Sequence, residues 1–161
     1  MAIIRKAILK DVDEIVSLWK NFMEEHREMG LRWGEDRIPE IRENAGDMIH
    51  SYYSKCIRSK NAFMLVLEDE GSIRGFMLSS TMKNIPIFKG DRVGFVSSIF
   101  IEGSLRGRRF SSMMLDETMK WFEMKGVSEV SLRVMCCNEH AYDIYTKWGF
   151  KDIHVEMRKE M

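Results

Sequence analysis

Three arginines and a glycine crowd one short stretch, Arg106-Gly107-Arg108-Arg109, and Phe110-Ser111-Ser112 follows directly. An apolar run, Val93 to Ile101, precedes the stretch, and an amphipathic segment, Phe110 to Lys125, comes after it. The pattern predicts a strand that enters a loop and a loop that opens a helix. A helix start carries unpaired backbone N–H groups and the positive end of the helix dipole, which suits it to phosphate. The chain has 25 Lys and Arg against 25 Asp and Glu, so the cluster is not the by-product of a basic protein. It points to a small phosphorylated ligand rather than to bulk polyanion.

Other residues in the chain can handle protons. Ser97 and Ser98 lie inside the apolar run; hydroxyls are poor bases at neutral pH but can order a water relay. Glu24, Glu25, Glu28, Glu35 and Asp36 make an acidic region around Trp33, which reads either as a solvated helix face or as a cation-facing wall. Cys56, Cys136 and Cys137 are an odd count with one adjacent pair. That is a poor disulfide framework and matches no zinc spacing, so we expect no metal and a reduced, cytoplasmic setting.

Composition narrows the class. The 161 residues suffice for one domain spanning 1–161, with 45% hydrophobic and 31% charged residues. Zero net charge and a single arginine cluster without interleaved aromatics argue against nucleic acid as the partner. No apolar run reaches membrane-spanning length, and residues 1–10 lack the apolar stretch of a signal peptide.

The elements that must position these residues follow from periodicity. Ile3 to Ile8 reads as a strand. Asp11 reads as a helix N-cap with Glu14 as its capping-box partner, ahead of Ile15, Leu18, Trp19, Phe22 and Met23 at helical spacing. A second helix is expected over Ile41 to Arg58. A hairpin of Phe63 to Glu68 and Ile73 to Met82 turns at Asp69 to Ser72. Val93 to Ile101 is the next strand, and Phe110, Met114, Thr118, Trp121 and Phe122 form one face of the helix after it. Glu129 to Met135 alternates as a strand, Glu139 to Trp148 is a helix closed by Gly149, and Lys151 to Met157 is a last strand. The order βααβββαβαβ makes an α+β (α/β) sandwich on a mixed sheet.

This order, with its motifs in these places, resembles the GNAT superfamily of acetyl-CoA-dependent N-acetyltransferases over nearly the whole chain. Arg106 to Ser111 matches part of the family's Arg/Gln-x-x-Gly-x-Gly/Ala loop. Asn138, Ala141, Tyr145, Gly149 and Phe150 match its Asn-x-x-Ala-x-x-x-Tyr-x-x-x-Gly-Phe run in full. In the loop, Arg109 replaces the usual glycine and Ser111 the glycine or alanine. Arg109 can serve there with negative φ and its side chain turned outward.

The resemblance implies a mostly antiparallel sheet, splayed between the fourth and fifth strands. It also implies acetyl-CoA as cosubstrate. The N–H groups from Gly107 through Arg108, Arg109 and Phe110 to Ser111 then cradle pyrophosphate, with Ser112 adding a hydroxyl and Arg106 and Arg108 adding charge. Ile99, Phe100 and Ile101 pair with pantetheine, the N–H near Ile99 faces the oxyanion, and Asn138 holds the cofactor's amide arm. Tyr145 protonates the leaving thiolate, and Ser97 or Ser98 orders a relay where relatives place a glutamate. The acceptor it implies is a cationic amine, small or peptidic, bordered by Glu25, Glu28 and Trp33. A homodimer is common among such proteins. The departures at Arg109 and Ser111 leave a second reading open: a CoA-binding sensor or regulatory module without turnover.

Overall fold

The computed structural model describes residues 1–32, 40–159 and 161. Among the described residues five strands and four α-helices are formed: β1 Ile3–Lys6, α1 Val12–Arg32, α2 Ala45–Arg58, β2 Ala62–Asp69, β3 Ser72–Lys83, β4 Arg92–Ile101, α3 Phe110–Met124, β5 Val127–Leu132 and α4 Glu139–Lys147. The sheet runs in the order β1-β2-β3-β4-β5, antiparallel except for the parallel pair β4–β5. Parallel neighbours need a crossover, and α3 supplies it. Among the described residues no helix is long and apolar enough to cross a membrane.

Both faces of the sheet are covered. Val12, Ile15 and Leu18 of α1 and Tyr53 of α2 bury against Phe76, Leu78 and Phe100 on one face. Met114, Leu115, Trp121 and Phe122 of α3 bury against Leu65, Leu67 and Met77 on the other. The apolar stripe expected for α3 is therefore the stripe that it buries. At Gly94 of β4 an added Cβ would stand 2.6 Å from the Phe122 ring, so α3 lies close against the strand because glycine is there. The expected hairpin forms around Glu70 and Gly71, both at positive φ (52° and 80°), the turn geometry that matches strand twist.

Five expectations are corrected. Asp11 does not cap α1. It closes a 3-10 turn, Leu9–Asp11, and accepts the Ile8 N–H at 2.8 Å and two bonds from Arg5 at 2.7 and 3.0 Å. Glu14 reaches across to the Ile73 N–H of β3 at 2.9 Å instead of folding back. The local capping pattern lost to partners brought by the sheet.

Helix α2 begins at Ala45, four residues later than expected, and β5 spans Val127–Leu132 rather than Glu129 to Met135. The segment Lys151 to Met157 is not a strand, because it ladders with no neighbouring edge.

Burial alone would raise the Asp11 carboxyl, but the hydrogen bonds from Arg5 and the Ile8 N–H outweigh it and hold the group below its ordinary range. A depressed carboxyl adds stability that is present above its unfolded value, near 4, and is lost as pH falls through the folded value. Asp11→Ala leaves the Ile8 N–H without its partner and Arg5 with Glu68 as its remaining carboxylate. We expect it to cost about 3 kcal/mol in urea unfolding at pH 7, and less at about pH 3. An equal loss at both pH values would refute the assignment.

Candidate active site

The site begins where two strands part. β4 and β5 pair from Arg92/Val127 to Val96/Leu132 and no further. At that point β4 carries a bulge: Leu78 of β3 faces Ser98, Ser79 faces Val96, and Ser97 is the extra residue. The Ser97 hydroxyl donates to the Leu78 carbonyl at 3.0 Å and holds the bulge. Beyond it, residues 97–101 have β3 on one side and, among the described residues, no strand on the other. The Glu102 N–H turns to β3, donating to the Arg74 carbonyl at 2.9 Å. Strand alternation therefore turns Ile101 and Ile99 to the open edge. The Ile101 carbonyl confirms the direction, since it accepts Arg106 Nε on that side at 2.7 Å.

The loop after β4 turns through Gly107 at φ 76° and Arg109 at φ 66°. Arg109 thus occupies the left-handed region, contrary to the expected negative φ. Turning the chain into α3 demands a glycine-like backbone there, and the arginine takes it. Its side chain makes no cap bond to the helix. The first helical bond runs from the Met113 N–H to the Arg109 carbonyl at 3.0 Å. The N–H groups of Phe110, Ser111 and Ser112 therefore have no partner within the helix.

Two expected phosphate groups are otherwise engaged. Arg106 forms a two-pronged pair with Glu25 of α1 at 2.8 and 2.7 Å, and its guanidinium lies 5.5 Å over the Phe100 ring. Ser112 accepts the Trp148 indole N–H at 3.2 Å, tying α3 to the end of α4. Arg108 and Arg109 are exposed at the helix start and carry its remaining positive charge. Glu25, expected to face a cation, is matched by Arg106. Glu28 is exposed on α1, and Trp33, Glu35 and Asp36 lie outside the described residues.

Across the opening, Asn138 caps α4, its side-chain oxygen accepting the Ala141 N–H at 3.1 Å. That structural duty was not foreseen. Tyr145 is half-buried between Trp148 and Phe150, with ring centroids at 5.6 and 6.4 Å, and burial pushes its phenol up. The second half of α1 spans from one side of the opening to the other. Phe22 meets Phe100 edge-on at 6.1 Å, Glu25 holds Arg106, and the helix end reaches a cavity of about 330 Å³. Met29 and Arg32 line that cavity with Cys137, Asn138, Glu139 and His140.

Sequence reasoning missed Tyr53 of α2, whose buried hydroxyl meets the Ser98 side chain. Its spacing from Ile49 and Ile57 on α2 was the available signal. It also missed Arg32, which no local pattern marks.

The acetyltransferase (GNAT) family model matches residues 17–150. The chain belongs to the GNAT acetyltransferase family. As a GNAT member it is an acyltransferase whose acetyl donor is acetyl-CoA. Solved structures share the fold at low identity. A tetramutant of the BH1408 protein from Bacillus halodurans superposes with TM-score 0.81 at 18% identity, covering 99% of each chain. A predicted acetyltransferase from Clostridium acetobutylicum, solved with acetyl-CoA, gives 0.80 at 18%, covering 99% of this chain and 96% of that one. The aminoglycoside N-acetyltransferase AAC(6')-Iy with CoA gives 0.78 at 14%, covering 100% and 95%. No curated protein matches the sequence. The edge of β4 beyond the bulge and the start of α3 both present backbone N–H groups.

Left-handed backbone at a non-glycine residue costs on the order of 1 kcal/mol. Arg109→Gly should therefore raise stability by about 0.5 kcal/mol after the added chain entropy is subtracted. Urea unfolding measures this; a loss of stability would show that the arginine side chain stabilises the loop.

Proposed function

We propose that the chain transfers the acetyl group of acetyl-CoA to a primary amine by direct displacement in a ternary complex. The observation that carries this is the unpaired edge of β4 at Ile99 to Ile101, lying between the helix start of α3 and the half-buried Tyr145. Residues 1–161 act as one N-acetyltransferase domain, and we place it in the cytoplasm.

Acetyl-CoA binds along that edge. Its pantetheine arm pairs with the backbone of Ile99 to Ile101 as an added strand, and its pyrophosphate meets the N–H groups of Gly107 to Ser112. Arg108 and Arg109 supply the charge at the phosphates. Arg106 instead braces α1 against the cofactor edge. Asn138 fixes the start of α4, and with it Tyr145, beside the thioester.

A neutral amine attacks the acetyl carbonyl carbon, and the carbonyl oxygen becomes an oxyanion. The Ile99 N–H is aimed at the open edge and stabilises that charge. As the C–S bond breaks, CoA leaves as a thiolate and the Tyr145 hydroxyl gives it a proton. A phenol near 10 is a weaker acid than a thiol near 8.5, so a hydrogen bond to the developing sulfur anion carries most of the effect. Burial raises Tyr145 further and keeps it protonated across the neutral range. The attacking nitrogen loses its proton to water ordered at the Ser97–Ser98 bulge. The aminoglycoside N-acetyltransferase with a similar fold also takes an amine, and a cationic acceptor fits the exposed Glu28 of α1.

Tyr145→Phe should lower kcat about a hundredfold while leaving the KM for acetyl-CoA within about twofold, measured as thiol release over a panel of primary amines. An unchanged kcat would remove Tyr145 from the proton path. In the parent enzyme kcat/KM should rise with pH as the acceptor amine deprotonates. It should not fall again until above about pH 10, because the acid that must stay protonated titrates above its ordinary value. A descending limb below pH 9 would assign the acid to another group.

A further inference from the structure

The hairpin of β3 and β4 projects from the end of the sheet opposite the donor edge. The two strands pair as far as Lys83 and Arg92, and the Asn84 N–H adds one more bond to the Asp91 carbonyl at 2.9 Å. On one side β2 begins opposite Ser80, with the Asn61 carbonyl accepting the Thr81 N–H just before it. On the other side β5 begins level with Arg92. The loop 84–91 therefore reaches beyond both neighbouring strands.

At its tip Ile85, Ile87 and Phe88 are 59%, 82% and 59% exposed. Turns usually carry Gly, Asn, Asp or Ser; three large apolar side chains in water mark a surface that meets something less polar. The loop is held in shape by its own hydrogen bonds. The Asn84 side-chain amide donates to the Lys89 and Gly90 carbonyls at 3.3 and 3.0 Å, and its oxygen accepts the Ile85 N–H at 2.8 Å. The Phe88 N–H donates to the Ile85 carbonyl at 3.0 Å. The apolar residues are thus presented outward on a fixed frame, whose ordering cost is already met before anything binds.

Cations surround this tip. Lys83 and Lys89 flank it in sequence, and Lys60 stands just before β2 on the neighbouring strand; all three are exposed. Among the described residues none of the three is in an ion pair. Asp91 is the single acid from residue 83 to residue 92. A convex apolar tip encloses no small ligand. With a collar of lysines it fits a surface that is both negatively charged and soft enough to be entered, which is the headgroup region of an anionic bilayer.

We propose that the loop 84–91 docks this chain on an anionic membrane surface. Ile85, Ile87 and Phe88 enter the interface, and Lys60, Lys83 and Lys89 meet the lipid headgroups. The docked protein lies on the bilayer and does not span it. A strand rises about 3.3 Å per residue, so the donor edge at Ile99 stands roughly 20 Å from the loop and stays clear of the lipid. The proposal is independent of the acyl-transfer chemistry, because none of these residues belongs to that site.

The test is flotation of the full chain with vesicles of phosphatidylcholine alone and of phosphatidylcholine with about 30% phosphatidylglycerol, at about 0.1 and 0.5 M salt. Partitioning onto the anionic vesicles should exceed that onto the neutral ones about tenfold or more, and the excess should shrink at the higher salt. Ile87→Asp should lower partitioning onto anionic vesicles about tenfold or more, and so should Lys83→Glu combined with Lys89→Glu. These positions are exposed and outside both cores, so urea unfolding should be unchanged. Failure of the parent chain to bind anionic vesicles overturns the proposal, as does binding that Ile87→Asp leaves intact. Equal binding to neutral and anionic vesicles also overturns it, since the lysines would then have no part. Self-association that Ile87→Asp abolishes, without vesicle binding, would give the tip to a second copy and overturn it as well.

Discussion

The parting of β4 from β5 is the constraint on which the rest of this structure depends. A sheet interior normally leaves no backbone group without a partner. Here the ladder stops at Val96 and Leu132, and the bulge at Ser97 turns the next residues away. The result is a strand edge set in the middle of the molecule rather than at its border. Such an edge offers hydrogen bonds fixed in space by two packed layers, and it needs no side chain to present them. The helix start of α3 offers the same kind of group a few residues later. On the proposed reading the donor would be held mostly by backbone groups, which asks little of the side chains at Arg109 and Ser111.

Side chains near the opening mainly hold it in shape. Arg106 joins β4, its own loop and α1, through the Ile101 carbonyl, the Phe100 ring and Glu25. Ser112 receives Trp148 and so joins α3 to α4. Asn138 caps α4. Each of these has a structural partner already, which is why the proposed chemistry is assigned to the edge at Ile99, the helix start and Tyr145. A pair as exposed as Arg106–Glu25 contributes little to stability by itself. Its importance lies in geometry, because it fixes α1 across the opening.

Local pattern carried much of this into the sequence. The hairpin of β2 and β3 is legible from the turn residues, α3 from its apolar stripe, and α4 from the run Asn138 to Gly149. The splay between the fourth and fifth strands came from the resemblance and is borne out by the register. What failed to show was long-range or conditional. Arg106 and Glu25 are 81 positions apart, and no local rule pairs them. Asp11 and Glu14 satisfy a capping pattern, yet Arg5 and Ile73 offered better partners once the sheet had formed. Alternation marks Lys151 to Met157 as strand-like, but a strand exists only beside another edge. At Arg109 the preference of the residue type lost to the turn that the backbone must make.

The most direct measurement is amide hydrogen exchange, resolved by residue, with and without saturating acetyl-CoA. The account predicts slowed exchange at Ile99 and Ile101 and at Phe110 to Ser112, with little change in β1 and β2. Saturation without protection at Ile99 would contradict it, since the donor would then be held by something other than the open edge of β4.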